Sequence, residues 1–231
     1  MSNNKYILGA IVISIALVFS ACATLWNPLV NQRNAVVLVS TPSSLATGFI
    51  INSRGCVLTA AHAVYDSVSQ EIRVDRPGII PYLPYHTDII SEKHDLAVIC
   101  PNNTFSKPPL FVTFSHTKQD FGTVVFLHGW YEKERAFVDR RGLVLDEISF
   151  SFSKIQYIDL FRTLFTKPIM GGFSGSPVVS AKDGSVVGLL VMYTMGPIPP
   201  DGYLGESLNA EEITNFLHEN HIEHTDGLQS E

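Results

Sequence analysis

Charge is scarce in this chain, and basic charge is scarcer. Only 16% of the 231 residues are charged, and 16 basic against 22 acidic side chains leave a formal net charge of −6. No basic stripe runs along any segment, which argues against nucleic acid as a partner. Heptads and internal repeats are missing, and only one stretch, near the C-terminus, has convincing helical periodicity. What the chain has instead is 45% apolar residues, with 16 glycines and 13 prolines scattered throughout. Many short strands joined by turns require that composition. At this length the chain can form one mid-sized domain or two small barrels sharing a core.

Met1 to Lys5 is polar with a single lysine, and Tyr6 to Ala23 is an apolar run without charge. The pattern reads as a secretory signal or a membrane anchor. The run ends in Phe19-Ser20-Ala21-Cys22, which resembles a bacterial lipobox with Phe where Leu is usual. Cys22 would then be lipidated and become the new N-terminus. Cleavage after Ala21-Cys22-Ala23 and retention as a helix of roughly bilayer-spanning length stay open beside it. All three put the remaining chain outside the cytoplasm, in or beyond the bacterial envelope.

The body alternates short apolar runs with breakers. Val36–Val39, Thr47–Ile51, Cys56–Thr59, Glu71–Val74, Tyr85–Ile90 and Leu96–Ile99 are predicted strands, with Pro77, Pro81, Pro84, Pro101, Pro108 and Pro109 breaking the stretches between or beside them. Ala60 to Val64 reads as one helical turn, and Leu110–Phe114 closes this half. Polar residues from Ser115 to Phe121 form a connection. Thr123–Leu127, Arg135–Val138, Leu143–Phe152, Tyr157–Arg162, Ser185–Tyr193 and Gly202–Gly205 are the strands of the second half. A helix follows over about Ala210 to Glu219, with Asn209 as N-cap and Ile213, Phe216 and Leu217 on one face. The reading is all-β, two barrels and a terminal helix.

Gly171-Gly172-Phe173-Ser174-Gly175-Ser176-Pro177 organises the rest. Glycines let backbone N–H groups converge on one point, and a serine in such a turn presents its hydroxyl with little cover. That suits a nucleophile beside an oxyanion hole. Serine needs an imidazole to take its proton, and the imidazole needs a carboxylate to fix its tautomer. His62, after Thr59-Ala60-Ala61, and Asp95, in His94-Asp95-Leu96-Ala97-Val98, lie at strand edges beside apolar neighbours. The chain order His, Asp, Ser differs from that of α/β-hydrolases, and Ser176 stands where a nucleophile elbow has its last glycine.

These motifs, with Thr47-Gly48-Phe49, resemble the trypsin-like (chymotrypsin-fold) serine proteases, especially the bacterial HtrA/Deg protease domain and the glutamyl endopeptidases. The resemblance spans roughly Ala35 to Leu217. It implies two six-stranded antiparallel β-barrels at about 34–115 and 122–208, a short helix at 209–220 and a polar tail from 221. It implies protein or peptide substrates and no cofactor. His62 would be the general base, Asp95 its orienter and Ser174 the nucleophile, with the N–H groups of Gly172 and Ser174 as oxyanion hole. The segment Lys167-Pro168-Ile169-Met170, with Pro168 and Met170 as its lining residues, would form one wall of the substrate pocket and Val191, Met192 and Tyr193 the other. Neither a carboxylate at the base of that pocket nor a histidine at Leu190 is present, so an apolar or small P1 residue is expected.

Phe173 stands where animal digestive relatives carry an Asp that pairs with a newly cut N-terminus, so activation by that switch is not implied. With Cys22 lipidated, two cysteines remain. The strands carrying Cys56 and Cys100 are adjacent and antiparallel in the resembled fold, which implies a cross-strand disulfide in an oxidising compartment. His218, His221 and His224 fall at a helix end and in a polar tail, and are expected as solvated side chains rather than a metal site. The rival to a peptidase is an inactive envelope lipoprotein using the same fold to bind.

Overall fold

The structure is a computed structural model that describes residues 32–65, 71–76, 80–152, 155–194 and 202–225. The N-terminal apolar run and Cys22 lie outside the described residues. Among the described residues no helix is long and apolar enough to cross a membrane.

Strands β1 (Val36–Ser40), β2 (Leu45–Ile50), β3 (Val57–Ala60), β4 (Ile72–Arg76), β5 (Ile80–Ser91) and β6 (Leu96–Pro101) close a first barrel in the order β1-β2-β3-β6-β5-β4. Strands β7 (Val124–Tyr131), β8 (Ala136–Phe152), β9 (Ile155–Phe165), β10 (Pro177–Ser180), β11 (Val186–Tyr193) and β12 (Tyr203–Asn209) close a second in the order β10-β11-β12-β9-β8-β7. Every pairing within the barrels is antiparallel. Closure removes the sheet edges except where long strands overhang their neighbours, as at the start of β5 and the far end of the β8–β9 hairpin. Helix α1 (Ala210–Glu219) follows β12 directly.

The core explains the closure. β3 is buried at all four positions, as is β6 over Leu96–Cys100, so both read as continuous apolar runs rather than alternating ones. One cluster fills the first barrel and extends through Val179, Val186, Leu189, Val191 and Leu208 of the second to the helix face of Ile213, Phe216 and Leu217. A smaller cluster around Leu127, Phe165, Ile169, Phe173 and Leu190 fills the second barrel. Asn209 Oδ1 caps α1 by accepting from Glu212 N–H at 2.8 Å. The three buried helix side chains then contribute about 1.5–3 kcal/mol each.

Three local expectations are revised. Arg135–Val138 and Leu143–Phe152 form one 17-residue strand, β8. The Asp139-Arg140-Arg141 run between them looks like a turn but keeps strand register. Asp139 accepts from His128 at 2.7 Å, and Arg140 buries its guanidinium while its Nε donates to Pro168 O at 3.0 Å. Pro81 and Pro84 do not interrupt β5. β6 pairing ends at Tyr85↔Pro101, so both prolines lie on the overhang, where no β6 bond is lost. Residues 221–225, expected as a solvated tail, dock on the first barrel. Asn52 Nδ2 donates to Glu223 O at 3.0 Å, Phe114 N–H donates to Thr225 O at 3.0 Å, and the His224 ring meets Phe114 at 6.0 Å.

Cys56, just before β3, and Cys100, in β6, are joined by a disulfide across neighbouring strands. Replacing both by serine is expected to lower the unfolding free energy by about 3–4 kcal/mol, given the sequence separation of 44. Urea denaturation measures the change, and an unaltered midpoint contradicts a formed bridge.

Candidate active site

His62 sits in a 3-10 turn, Ala61–Ala63, that β3 enters directly. Asp95 sits in the tight connection between β5 and β6, with φ at +52°. That left-handed backbone is uncommon for a non-glycine residue and is tolerated best by Asp and Asn. The carbonyl and the carboxylate of Asp95 both reach the same 3-10 turn. Ala61 N–H donates to Asp95 O at 2.9 Å, His62 N–H donates to Asp95 Oδ1 at 2.8 Å, and His62 Nδ1 lies 2.6 Å from Asp95 Oδ2. A carboxylate only accepts, so Nδ1 carries the ring hydrogen and Nε2 is left with a lone pair. Asp95 is 1% exposed while the His62 side chain is 41% exposed. The carboxylate end of the contact is therefore shielded, while part of the ring is open to solvent.

The buried negative charge reaches the Tyr65 phenol, which is pushed up to about 12 by its burial first and then by the charges of Asp95 and Glu92. Tyr65 packs on the first-barrel cluster.

The serine turn comes from the second barrel and is tied to the first. Thr47 N–H donates to Ser174 O at 2.9 Å, and Thr47 Oγ donates to Gly172 O at 2.6 Å. Gly175 has φ of +81°, and a Cβ there would lie 2.2 Å from Thr47 O, 2.5 Å from Thr59 Oγ and 2.9 Å from Ala60 N. Only glycine allows that approach, and it brings the residue after Ser174 against the strand end that leads into His62. Among the described residues the Ser174 hydroxyl and the N–H groups of Gly172 and Ser174 make no hydrogen bond within the protein. Catalytic contacts of this kind commonly tighten only with substrate bound.

Phe173 is fully buried behind the turn. Its ring meets Tyr131 at 6.1 Å and the Arg140 guanidinium at 5.7 Å. Arg140 also holds the Pro168 carbonyl, and Tyr131 OH donates to Met170 Sδ at 3.3 Å. An aromatic and cationic socket thus supports the segment between Pro168 and Ser174.

The pocket residues separate. Val191 joins the first-barrel cluster, with Met192 packed against it, whereas Tyr193 packs on the second-barrel cluster. Met170 is 44% exposed. Ile169, Leu190 and Gly205 converge in the second barrel: a Cβ on Gly205 would lie 2.8 Å from Leu190 Cδ1 and 3.3 Å from Ile169 Cδ1. Among the described residues the nearest atoms to that Cβ include no carboxylate. Glu206, one residue on, is paired with Met192 and Arg162 in register, and burial holds its carboxyl above the usual range. Sequence reading gave no role to Thr47, Tyr131, Arg140 or Gly205, and placed Ile169 only within the pocket-wall segment 167–170. A lone threonine inside the otherwise apolar β2 was the one available signal. No group of His, Cys, Asp or Glu among the described residues is arranged to hold a metal ion.

The trypsin-like peptidase domain family matches residues 46–189. No curated protein matches the chain in sequence. Among solved structures it is similar to an inactive form of Rv3671c from M. tuberculosis H37Rv, at 20% identity and TM-score 0.66, covering 83% of this chain and 89% of that one. It is similar to the MamO protease domain from Magnetospirillum magneticum, at 24% identity and TM-score 0.65, covering 81% and 97%. It is also similar to the HtrA-type protease AlgW with a tripeptide, at 18% identity and TM-score 0.69, covering 87% and 64%. At these identities the likeness is one of fold. The family match, however, runs from β2 to β11 and so takes in both barrels: the chain belongs to the trypsin-like peptidase domain family.

Proposed function

We propose that the chain is a serine endopeptidase of the HtrA type acting outside the cytoplasm. The observation that carries this reading is the 2.6 Å contact between His62 Nδ1 and the buried Asp95 carboxylate, next to a serine turn whose glycine packs on the same strand end. His62 Nε2 takes the Ser174 hydroxyl proton as Oγ attacks the substrate carbonyl carbon. The N–H groups of Gly172 and Ser174 donate to the resulting oxyanion. The imidazolium then gives its proton to the leaving amine, and the acyl-enzyme on Ser174 is cleaved by water with His62 again as base. Asp95 keeps Nδ1 protonated throughout and offsets the positive charge of the imidazolium.

The peptidase unit in this reading is residues 34–220, with the barrels at about 34–115 and 122–208. The apolar run Tyr6 to Ala23, ending in Cys22, exports the chain and tethers it to the membrane, by lipidation or as a retained helix. The Cys56–Cys100 bridge suits an oxidising compartment. That AlgW was solved with a tripeptide favours peptides as the substrate class.

Labelling with a fluorophosphonate probe tests the central claim. Wild type is expected to take up probe and Ser174→Ala to take up none. Asp95→Asn is expected to keep the fold while kcat falls about 10⁴-fold, because the ring then adopts the wrong tautomer. A folded wild type that takes up no probe overturns the reading and leaves a binding protein built on a protease fold.

The convergence of Ile169, Leu190 and Gly205 without a charge leads to a second expectation. A peptide library digested by the purified domain is expected to be cut after small or mid-sized apolar residues. Preference for Lys, Arg or Glu at P1 contradicts it.

A further inference from the structure

Thr47 is fully buried, and its polar atoms serve three strands and the serine turn at once. Its N–H donates to Ser174 O at 2.9 Å, and its carbonyl accepts from Thr59 Oγ at 2.7 Å. Its hydroxyl both donates to Gly172 O at 2.6 Å and accepts from Trp130 N–H at 2.8 Å. The hydroxyl therefore uses its one hydrogen and a lone pair on two backbone groups of the second barrel, although Thr47 belongs to the first.

The location of those two carbonyls matters more than their number. The Gly172 carbonyl fixes the peptide plane before Phe173, and the Ser174 carbonyl fixes the plane before Gly175. The plane between them carries the Ser174 N–H. Thr47 thus clamps both neighbours of an N–H that the proposed function assigns to the oxyanion hole. With the Gly172 carbonyl released, the plane before Phe173 is held, among the described residues, only by the long Phe173 N–H to Met170 O bond at 3.3 Å. Gly172, at φ +96°, then has the freedom to rotate, although Ser176 N–H still donates to Phe173 O at 2.9 Å. Phe173 anchors the turn from the other side through the socket of Tyr131 and Arg140. Clamp and socket hold the turn from two barrels.

We propose that Thr47 is a positioning residue for the oxyanion hole, acting through its side-chain hydroxyl as a latch between the barrels. The catalytic part of this proposal rests on the peptidase reading above, but the latch itself does not. Thr47→Val keeps the shape and removes the hydroxyl; Thr47→Ser keeps the hydroxyl and removes a methyl. A peptide boronate, whose bound oxyanion needs the hole, separates positioning from simple substrate binding.

The test compares full-length wild type, Thr47→Val, Thr47→Ser and Thr47→Ala by amide hydrogen exchange over residues 170–176 and by steady-state kinetics. Loss of a buried bond of this kind is expected to speed exchange in the turn of Thr47→Val by about 10- to 100-fold. kcat and boronate affinity are expected to fall about tenfold or more, with KM nearly unchanged. Thr47→Ser is expected to restore all three. If Thr47→Val does not fold, Thr47→Ala carries the same expectations. If neither folds while Thr47→Ser does, the hydroxyl is structural and the positioning role is overturned. Exchange and turnover like those of wild type in Thr47→Val also overturn it, with the peptidase reading intact. Fast exchange in that variant, with a wild type that turns over no peptide, keeps the latch and overturns the peptidase reading.

Discussion

A carboxylate at 1% exposure has lost its water, and the donors that replace that water decide what the site can do. For Asp95 they include the His62 N–H and the His62 ring, while its own carbonyl takes the Ala61 N–H. Removing one donor from such a group typically costs about 1–3 kcal/mol, more when charge is involved. The histidine is therefore held by backbone and side chain together, and the ring has little freedom to turn away. The left-handed backbone at Asp95 is the strain this arrangement accepts. β5 and β6, paired on either side of that corner, keep it in place.

The second barrel supplies a complementary element. Its serine turn is soft by composition, with three glycines in five residues from Gly171 to Gly175, and becomes stiff by contact. Thr47 holds its carbonyls, Gly175 packs on β3, and Phe173 fills a socket under it. The seam is also braced away from the site. Arg76 of β4 donates to Val36 O at 2.8 Å and lies 4.1 Å over Phe137 of β8. Its guanidinium is pushed down to about 10, by burial first and then by Arg33 beside it, so it keeps its charge at neutral pH. A site divided between two barrels depends on such contacts, because a slip along the seam moves the His62 turn relative to the serine turn.

The parts legible in the sequence were those with strong local rules. Short β-branched runs between prolines and glycines marked most strands, and Asn209 before an amphipathic stretch marked the helix. His62 and Ser174 stood in motifs with recognisable turns. Reading failed where tertiary contacts override local chemistry. Asp139-Arg140-Arg141 looks like a loop until Tyr131, Phe173 and the Pro168 carbonyl are known to receive Arg140. The tail after 221 is polar in sequence, yet it docks through backbone carbonyls that no side-chain pattern reveals. Thr47 was visible as part of a motif, but its four bonds join positions up to 127 residues apart, from Thr47 to Ser174 (174 − 47 = 127). No local pattern encodes a partner that distant. Gly205 was missed for the same reason, since it meets Ile169 and Leu190 only when the barrel closes.

Asp95 holds the His62 ring with its hydrogen on Nδ1 and its lone pair on Nε2. Nitrogen-15 NMR of the imidazoles, in wild type and Asp95→Asn above the pH at which the ring is charged, reads the tautomer directly. The account predicts an Nδ1–H signal in wild type, strongly downfield as a short bond to a carboxylate requires, and its loss or displacement in Asp95→Asn. A wild-type His62 protonated on Nε2, or averaging between both nitrogens, contradicts it.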